Sequence, residues 1–187
     1  MNPTAKALLV PSLLLVALAC GAPKLDKAEA EAQLRKLYPV TVMLRVPEET
    51  GAAAGSAEGL RLKSLAEALN ASHWFEASAP DVKGRVTFTA KLLPGAPTTI
   101  QPVAKGFRVP VAKAAFDRAI RNDVRDAETR VVYQIRLEEP TALFAAFQLR
   151  YPDAKVGSTK QRHARFAKDG RSWKLAETDE KYGKAEE

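Results

Sequence analysis

The chain has few of the residues that most often carry metal, redox or nucleophilic chemistry, with one cysteine and two histidines among 187 residues. One cysteine excludes an internal disulfide framework and a cysteine-rich zinc or iron–sulfur site, and two histidines leave little for a histidine-based metal centre. The glycines between Pro47 and Gly55 form no phosphate-binding loop, because no Lys-Ser or Lys-Thr pair closes that segment. We therefore expect no metal and no cofactor.

The remaining composition is that of an ordinary folded protein with a basic balance. Lysine and arginine total 29 against 22 aspartate and glutamate, which gives a net charge of +7, and 46% of the residues are hydrophobic. No repeat and no low-complexity linker divides the chain, so the sequence predicts one domain over residues 25–178, followed by a polar tail over residues 179–187.

The amino terminus has the pattern of a secretion signal. Lys6 precedes an uncharged run from Ala7 to Ala19, and Cys20 follows directly. A helix that spans a bilayer needs about 20 apolar residues, so this run is short, and Pro11 interrupts it. We therefore predict that residues 1–19 are a signal peptide and not a membrane span.

The segment VALACG, residues 16–21, resembles the lipobox of bacterial lipoproteins. The resemblance implies cleavage before Cys20, lipidation of its sulfur with acyl chains such as palmitate, and frequent acylation of the new amine. Residues 20–24 would then be the lipidated cysteine and a short tether. Gly21 in place of aspartate implies sorting to the outer membrane, with the protein facing the periplasm.

Hydrophobic periodicity predicts an α+β fold, with helices packed on one face of a curved, mainly antiparallel sheet that ends in a C-terminal β-meander. Apolar residues alternate with polar ones over 40–46, 85–93 and 129–138, as half-buried strands require. Residues 26–38 and 56–70 have helical spacing, and Ser56 is a favourable residue to cap the second helix.

Three other segments give weaker patterns. Pro47 to Gly55 is predicted to be a loop, and the alanine-rich stretch Pro110–Arg121 a helix with proline in its first turn. Thr141–Tyr151 is compatible with a helix or a strand; we favour a strand, because a short turn would pair Tyr133 with Phe147 on one apolar face.

The sequence Asp169-Gly170 predicts a β-hairpin near the carboxyl terminus. A two-residue loop there would place Phe166 opposite Trp173 and Arg165 opposite Lys174. The surrounding RHARFAKDGRSWKLAE resembles the last hairpin of nuclear-transport-factor-two-like domains, which are cone-shaped α+β folds. Members of that family include enzymes and non-catalytic binding modules, so the resemblance implies no reaction.

The same hairpin is rich in positive charge, which makes it a candidate anion-binding surface for an envelope protein or an anionic envelope component. The alternative is a solvated hairpin whose charges protect strand edges. Nucleic acid is not an expected partner, because aromatic residues do not interleave the basic ones. The candidate anion-binding residues are Lys160, His163, Arg165, Lys168, Arg171 and Lys174.

No catalytic constellation is visible, so we do not expect an enzyme. The predicted register places no carboxylate beside His163, and His73 has no nucleophile pattern near it. The sequence favours a lipid-anchored, non-enzymatic binding or assembly component of a Gram-negative envelope. The alternative is a carrier with an apolar ligand in a sheet–helix cavity lined by Val131, Tyr133 and Phe147.

Overall fold

The structure is a computed structural model that describes residues 24–125 and 128–182. The predicted signal peptide, residues 1–19, and Cys20 lie outside the described residues. Within the described ranges the chain forms three helices and ten strands. The helices are α1 (Lys27–Arg35), α2 (Ala57–Ala71) and α3 (Phe144–Gln148). The strands are β1 (Val40–Pro47), β2 (Glu49–Ala53), β3 (Phe75–Ser78), β4 (Asp81–Val82), β5 (Arg85–Leu92), β6 (Gln101–Val103), β7 (Gly106–Arg125), β8 (Glu128–Glu138), β9 (Thr159–Asp169) and β10 (Ser172–Thr178).

The predicted α+β class is confirmed, and the strands divide into two antiparallel sheets. The larger sheet curls and has the order β1-β7-β8-β9-β10, with β6 paired to the start of β7 on the edge opposite β1. Its last three strands form the predicted C-terminal meander. The smaller sheet has the order β2-β5-β3, with β4 also on β5. Helix α1 packs on the larger sheet and α2 on the smaller one.

Strand β7 is the spine of the larger sheet and overturns the prediction of a helix over Pro110–Arg121. It pairs with β1 along its first half and with β8 along its second half. Its alanines are buried at Ala112, Ala114 and Ala119, where small side chains fit beneath the packed core. Helix propensity is a weak preference, and strand pairing along the whole of this segment outweighs it here. Two irregularities in its register with β8 disturb the alternation that would have indicated a strand.

Helix α1 lies against β7 and β10 and satisfies backbone groups of both strands. Glu31 accepts a hydrogen bond from the Ala119 amide of β7 at 3.0 Å. The Gln33 side chain donates to the Trp173 carbonyl at 2.7 Å and accepts from the Leu175 amide at 3.0 Å. Because β10 is an edge strand, its outer backbone groups could pair with another chain, and the Gln33 side-chain amide occupies two of them. The helix ends at Arg35, three residues before the predicted end.

The smaller sheet is covered by α2, the helix that the sequence predicted over residues 56–70. The Ser56 hydroxyl accepts from the Gly59 amide at 3.0 Å, which confirms the cap, and α2 buries its predicted apolar stripe. The predicted loop over Pro47 to Gly55 is wrong, because most of it forms β2. A Cβ on Gly59 would lie 2.3 Å from the Ala53 carbonyl oxygen, so only glycine allows the helix to begin this close to β2.

The prediction of a strand over Thr141–Tyr151 is also wrong. The segment contains the short helix α3, and the Thr141 hydroxyl donates to the Pro110 carbonyl at 2.8 Å while accepting from the Leu143 amide. The predicted pairing of Tyr133 with Phe147 does not occur, because β7 and β9 occupy both edges of β8. The phenylalanines of α3 are buried in the core instead.

The C-terminal hairpin forms as predicted, but its register differs. The loop is Gly170-Arg171, with Asp169 opposite Ser172, so Phe166 faces Leu175 and not Trp173. A further shift between Leu175 and Glu177 then places Glu177 opposite Arg165, in place of Lys174. The loop lies one residue later than the predicted Asp169-Gly170 turn, and this displacement changed each cross-strand pair.

Candidate functional site

Two tyrosines and a carboxylate form a hydrogen-bonded network where α1, β8 and the chain after β10 meet. The Tyr38 hydroxyl donates to Glu180 at 2.7 Å and lies 3.0 Å from the Tyr133 hydroxyl. Phe116 stacks on Tyr133, with ring centroids 6.1 Å apart. Burial raises the pKa of Tyr38 well above its usual range, and the hydrogen bonds with Glu180 and Tyr133 raise it further. Burial also raises the pKa of Tyr133.

Residues 179–182, assigned from the sequence to a polar tail, contact the folded domain. The Glu180 side chain is only 10% exposed, and its carboxylate also accepts from the Tyr182 amide at 2.7 Å. The guanidinium of Arg162 lies 4.8 Å from the centre of the Tyr182 ring, and its Nε is 3.7 Å from Glu180. The sequence pattern missed these contacts because single buried residues in a polar segment have no periodicity.

The predicted anion-binding residues do not share one unpaired surface. Arg165 is placed between Glu128, at 2.9 Å, and Glu177, at 3.4 Å, and Lys174 pairs with Asp169. These carboxylates raise the pKa of Arg165 and of Lys174. Lys168 lies over the Trp173 ring, and Arg171 is exposed in the turn. Lys160 lies elsewhere, over the ring of Tyr151.

His163 has a carboxylate partner, contrary to the prediction from its register. Its Nδ1 is 3.0 Å from Asp179 Oδ2, and its backbone amide donates to Asp179 Oδ1 at 2.8 Å. Asp179 follows the end of β10, beyond the residues that the predicted hairpin register compared. The two side chains are 65% and 44% exposed, so the pair lies at the surface and not in a cleft. His73 is exposed after α2, with a positive φ of 59°.

The three residues predicted to line an apolar cavity are all buried, but they do not line a common groove. Val131 and Tyr133 belong to the hydrophobic core of the larger sheet. Phe147 packs beside Tyr151, with ring centroids 4.7 Å apart, and lines a small pocket whose other walls are largely basic.

The face of the smaller sheet opposite α2 forms an open groove of about 1100 Å³, which we call the sheet groove. Its residues come mainly from β2, β3 and β5 and include both signs of charge. The acidic residues are Glu48, Glu49 and Glu76, the basic ones Arg85, Lys91 and Lys105, and the hydroxyl residues Thr50, Ser78, Thr87 and Thr89. The alternation over residues 85–93 already indicated the basic and threonine-rich face of β5. The contribution of β2 to the groove was not predicted, because the sequence analysis assigned Pro47 to Gly55 to a loop.

A smaller cavity of about 140 Å³, which we call the basic pocket, lies among β1, β9, the end of α3 and the chain after β10. Its cationic residues are Arg45, Arg150, Lys160, Arg162 and Lys181. Its apolar and aromatic residues are Met43, Leu44, Phe147, Tyr151 and Tyr182. The sequence could not indicate this pocket, because its residues come from four separate segments.

Comparison of the chain with protein-family models, with curated proteins and with solved structures found no match in any of the three. Within the described residues, no helix is long and apolar enough to cross a membrane. The same residues contain no group of three or more histidine, cysteine, aspartate or glutamate side chains placed to hold a metal ion. The geometry above is therefore the basis for a functional proposal.

Proposed function

We propose that this chain is a lipid-anchored, non-enzymatic binding or assembly component of a Gram-negative envelope, held in the outer membrane through Cys20 and facing the periplasm. The observation that carries the proposal is the segment VALACG at residues 16–21. The tether after it is short, because Leu25 is 4% exposed and belongs to the same core as α1. The folded domain thus begins five residues after the lipobox cysteine. Five residues span at most about 17 Å when fully extended, so an anchor at Cys20 holds the domain against the bilayer surface.

The lipid chemistry supports stable attachment through such a short tether. Each buried methylene contributes about 0.8 kcal/mol, so one acyl chain binds reversibly, whereas two or three chains hold a protein on the membrane. A domain attached in this way does not need a spanning helix. Its function then depends on what the exposed surface contacts.

The sheet groove is the surface that we assign to partner contact. It presents carboxylates, cations and hydroxyl groups on one open sheet face, a combination that suits a polar partner such as another envelope protein. The predicted carrier cavity receives less support, because Val131 and Tyr133 pack within the core. Contact through the exterior therefore fits this fold better than storage of an apolar ligand in its interior.

The anchor is tested by expressing the full chain in a Gram-negative host that is fed an alkyne-tagged palmitate. We expect label on the wild-type protein and recovery in the outer-membrane fraction, with both lost in Cys20→Ser. Cys20 is the only cysteine, so thioether lipidation has no other position. An unlabelled wild-type protein, or one that keeps residues 1–19, would contradict the proposal.

Partner contact is tested by placing a photo-crosslinking residue at Thr89, in the sheet groove, in intact cells. The matched control is Leu60, which is exposed on α2 away from the groove. We expect a discrete crosslinked product from position 89 and none from position 60. Identical patterns at the two positions, or no product at either, would remove the sheet groove as the contact surface.

A further inference from the structure

The basic pocket is a product of the curl of the larger sheet. Strands β1 and β9 are separated by β7 and β8 in the sheet order, yet residues of both strands line this one pocket. The curl therefore brings the two strands towards each other across the concave side. Phe147 and Tyr151, from the α3 segment, and Tyr182, after β10, occupy the space between them.

Positive charge converges in this pocket without a carboxylate among the described residues that line it. Arg45, Lys160, Arg162 and Lys181 contribute four cations, and Arg150, which has a contact of its own, also lines the pocket. Arg45 donates to the Ala104 carbonyl, and Lys160 lies over the Tyr151 ring, so neither of these contacts is with a carboxylate. Like charges gathered in a small volume repel one another, and an anion is the ligand that relieves the repulsion.

Among the described residues, Glu180 and Glu58 are carboxylates near the pocket, and both already have other partners. Glu180 is 3.7 Å from Arg162 Nε, but it accepts hydrogen bonds from the Tyr38 hydroxyl and the Tyr182 amide. Glu58 is bound by Arg61 through two hydrogen bonds, at 2.6 and 2.8 Å. Those hydrogen bonds lower the pKa of Glu58, and the charge of Arg150 lowers it further by a smaller amount.

Two polar atoms of pocket-lining residues are buried and lack a hydrogen-bond partner among the described residues. They are Arg162 Nε and the Tyr182 hydroxyl. Buried donors without an acceptor are rare and destabilising, at about 1–3 kcal/mol each, so their presence beside a cavity indicates a ligand that accepts hydrogen bonds. The Arg162 side chain is 17% exposed, which limits the access of bulk solvent to its guanidinium.

We propose that the basic pocket binds a phosphate monoester group carried by a small molecule or a lipid headgroup. A monoester dianion brings up to two negative charges and three acceptor oxygens, which matches several cations and two unpaired donors better than a single carboxylate does. A volume of about 140 Å³ accommodates one tetrahedral group and a few adjoining atoms. Met43, Phe147 and Tyr151 provide apolar contact for those atoms. This site lies in the folded domain and does not depend on the anchor.

The proposal is tested with the full chain in detergent, titrated with inorganic phosphate by calorimetry at constant ionic strength. We expect saturable binding that weakens by about tenfold or more in Lys160→Gln/Lys181→Gln, because each removed cation loses a charge-assisted contact. The matched control is Lys168→Gln/Lys174→Gln, which removes two charges from the C-terminal hairpin. The control should change the affinity by less than about twofold.

Absence of saturable binding by the wild-type chain would overturn the proposal, as would an equal loss of affinity in the hairpin control. Thermal unfolding of the two double variants establishes that each remains folded. A third variant, Arg45→Gln, gives an independent reading from a different strand, and unchanged affinity in both Arg45→Gln and the pocket double variant would exclude the basic pocket as the phosphate site.

The source of the phosphate is distinguished by three further ligands in the same detergent. Glycerol phosphate represents a soluble monoester, short-chain phosphatidic acid a lipid monoester, and short-chain phosphatidylglycerol a diester. Tighter binding of phosphatidic acid than of glycerol phosphate indicates a lipid headgroup, and equal affinity indicates a soluble molecule. We expect affinity for both monoesters to rise above about pH 6, where the dianion forms. Equal affinity for the diester would contradict recognition of a monoester.

Discussion

Two groups of cationic side chains illustrate how differently positive charge is used in this fold. The hairpin group, Arg165, Lys168 and Lys174, is dense in the sequence, and each member has a carboxylate or an aromatic ring beside it. The pocket group, Arg45, Lys160, Arg162 and Lys181, is dispersed in the sequence but lines one cavity. Charge density along the chain therefore identified a group in which Arg165 and Lys174 are paired with exposed carboxylates, whereas convergence in space identifies a group that lines one cavity.

The largest effect should come from the apolar wall of the basic pocket. Phe147 is buried and contacts the rings of Phe144, Tyr151 and Tyr182. Phe147→Ala should lower the free energy of unfolding by about 3–5 kcal/mol, because it leaves a cavity in the core. Urea denaturation measures the change, with the half-buried Leu175→Ala of the hairpin as the control. A smaller loss for Phe147→Ala than for Leu175→Ala would show that the pocket wall is not part of the core.

A medium effect should follow from neutralising the carboxylate behind the pocket. Glu180→Gln removes the charge that accepts from the Tyr38 hydroxyl and the Tyr182 amide, and should cost about 1–3 kcal/mol. The control Glu177→Gln removes a carboxylate that is 68% exposed beside Arg165, and should leave the unfolding midpoint nearly unchanged. If Glu180→Gln and Glu177→Gln lowered the free energy of unfolding equally, the carboxylate behind the pocket would be no more important to stability than the one in the hairpin.

A pH effect should report on two phenols behind the pocket, the buried Tyr133 and the half-buried Tyr38. Folding raises the pKa of Tyr38 and of Tyr133 above the unfolded value of about 10. Their contribution to stability is therefore complete below about pH 10 and is lost as the pH rises above it. The loss should reach at most about 1.4 kcal/mol per pH unit for each tyrosine. Denaturation between pH 9 and 11 should show a shallower decline in Tyr38→Phe, whereas an unchanged slope would mean that Tyr38 ionises freely in the fold.

The smallest effect should come from the hairpin group itself. Arg165→Gln/Lys174→Gln removes two cations whose partners are exposed carboxylates, so thermal unfolding should change little. The same variant should remain in the outer-membrane fraction, since we assign attachment to Cys20. Loss of membrane association or a marked drop in the unfolding midpoint would restore the hairpin as an important surface.

Regular alternation and capping allowed much of the fold to be predicted. One face is buried and the other is not in strands β1, β5 and β8 and in helix α2. Their hydrophobic period can therefore be recognised in the sequence without tertiary information. The predictions failed where that period is disturbed. Strand β7 is alanine-rich and irregular in register, and the α3 segment alternates like a strand although it packs as a helix. In both cases the neighbouring strands decide the conformation.

The candidate sites were less predictable than the fold. The C-terminal hairpin was correctly placed, but a turn one residue later and a further irregularity after Leu175 placed Arg165 opposite Glu177 and not opposite Lys174, and this changed the character of the surface. The basic pocket depends on contacts between β1, β9 and residues after β10, and no local pattern encodes such distances. A site of this kind becomes visible only when the sheet curls.

The sequence alone determined the features that depend on local chemistry: the α+β class, the apolar faces of the regular elements and the Ser56 cap. Its VALACG segment is also the whole basis for the prediction that Cys20 is lipidated. The tertiary structure decided the features that depend on distance: which charges are paired, which polar atoms are buried, and where cations from separate segments meet. The physical reason is that hydrophobic period and capping act over a few residues, whereas electrostatic compensation and cavity shape depend on groups brought together by folding.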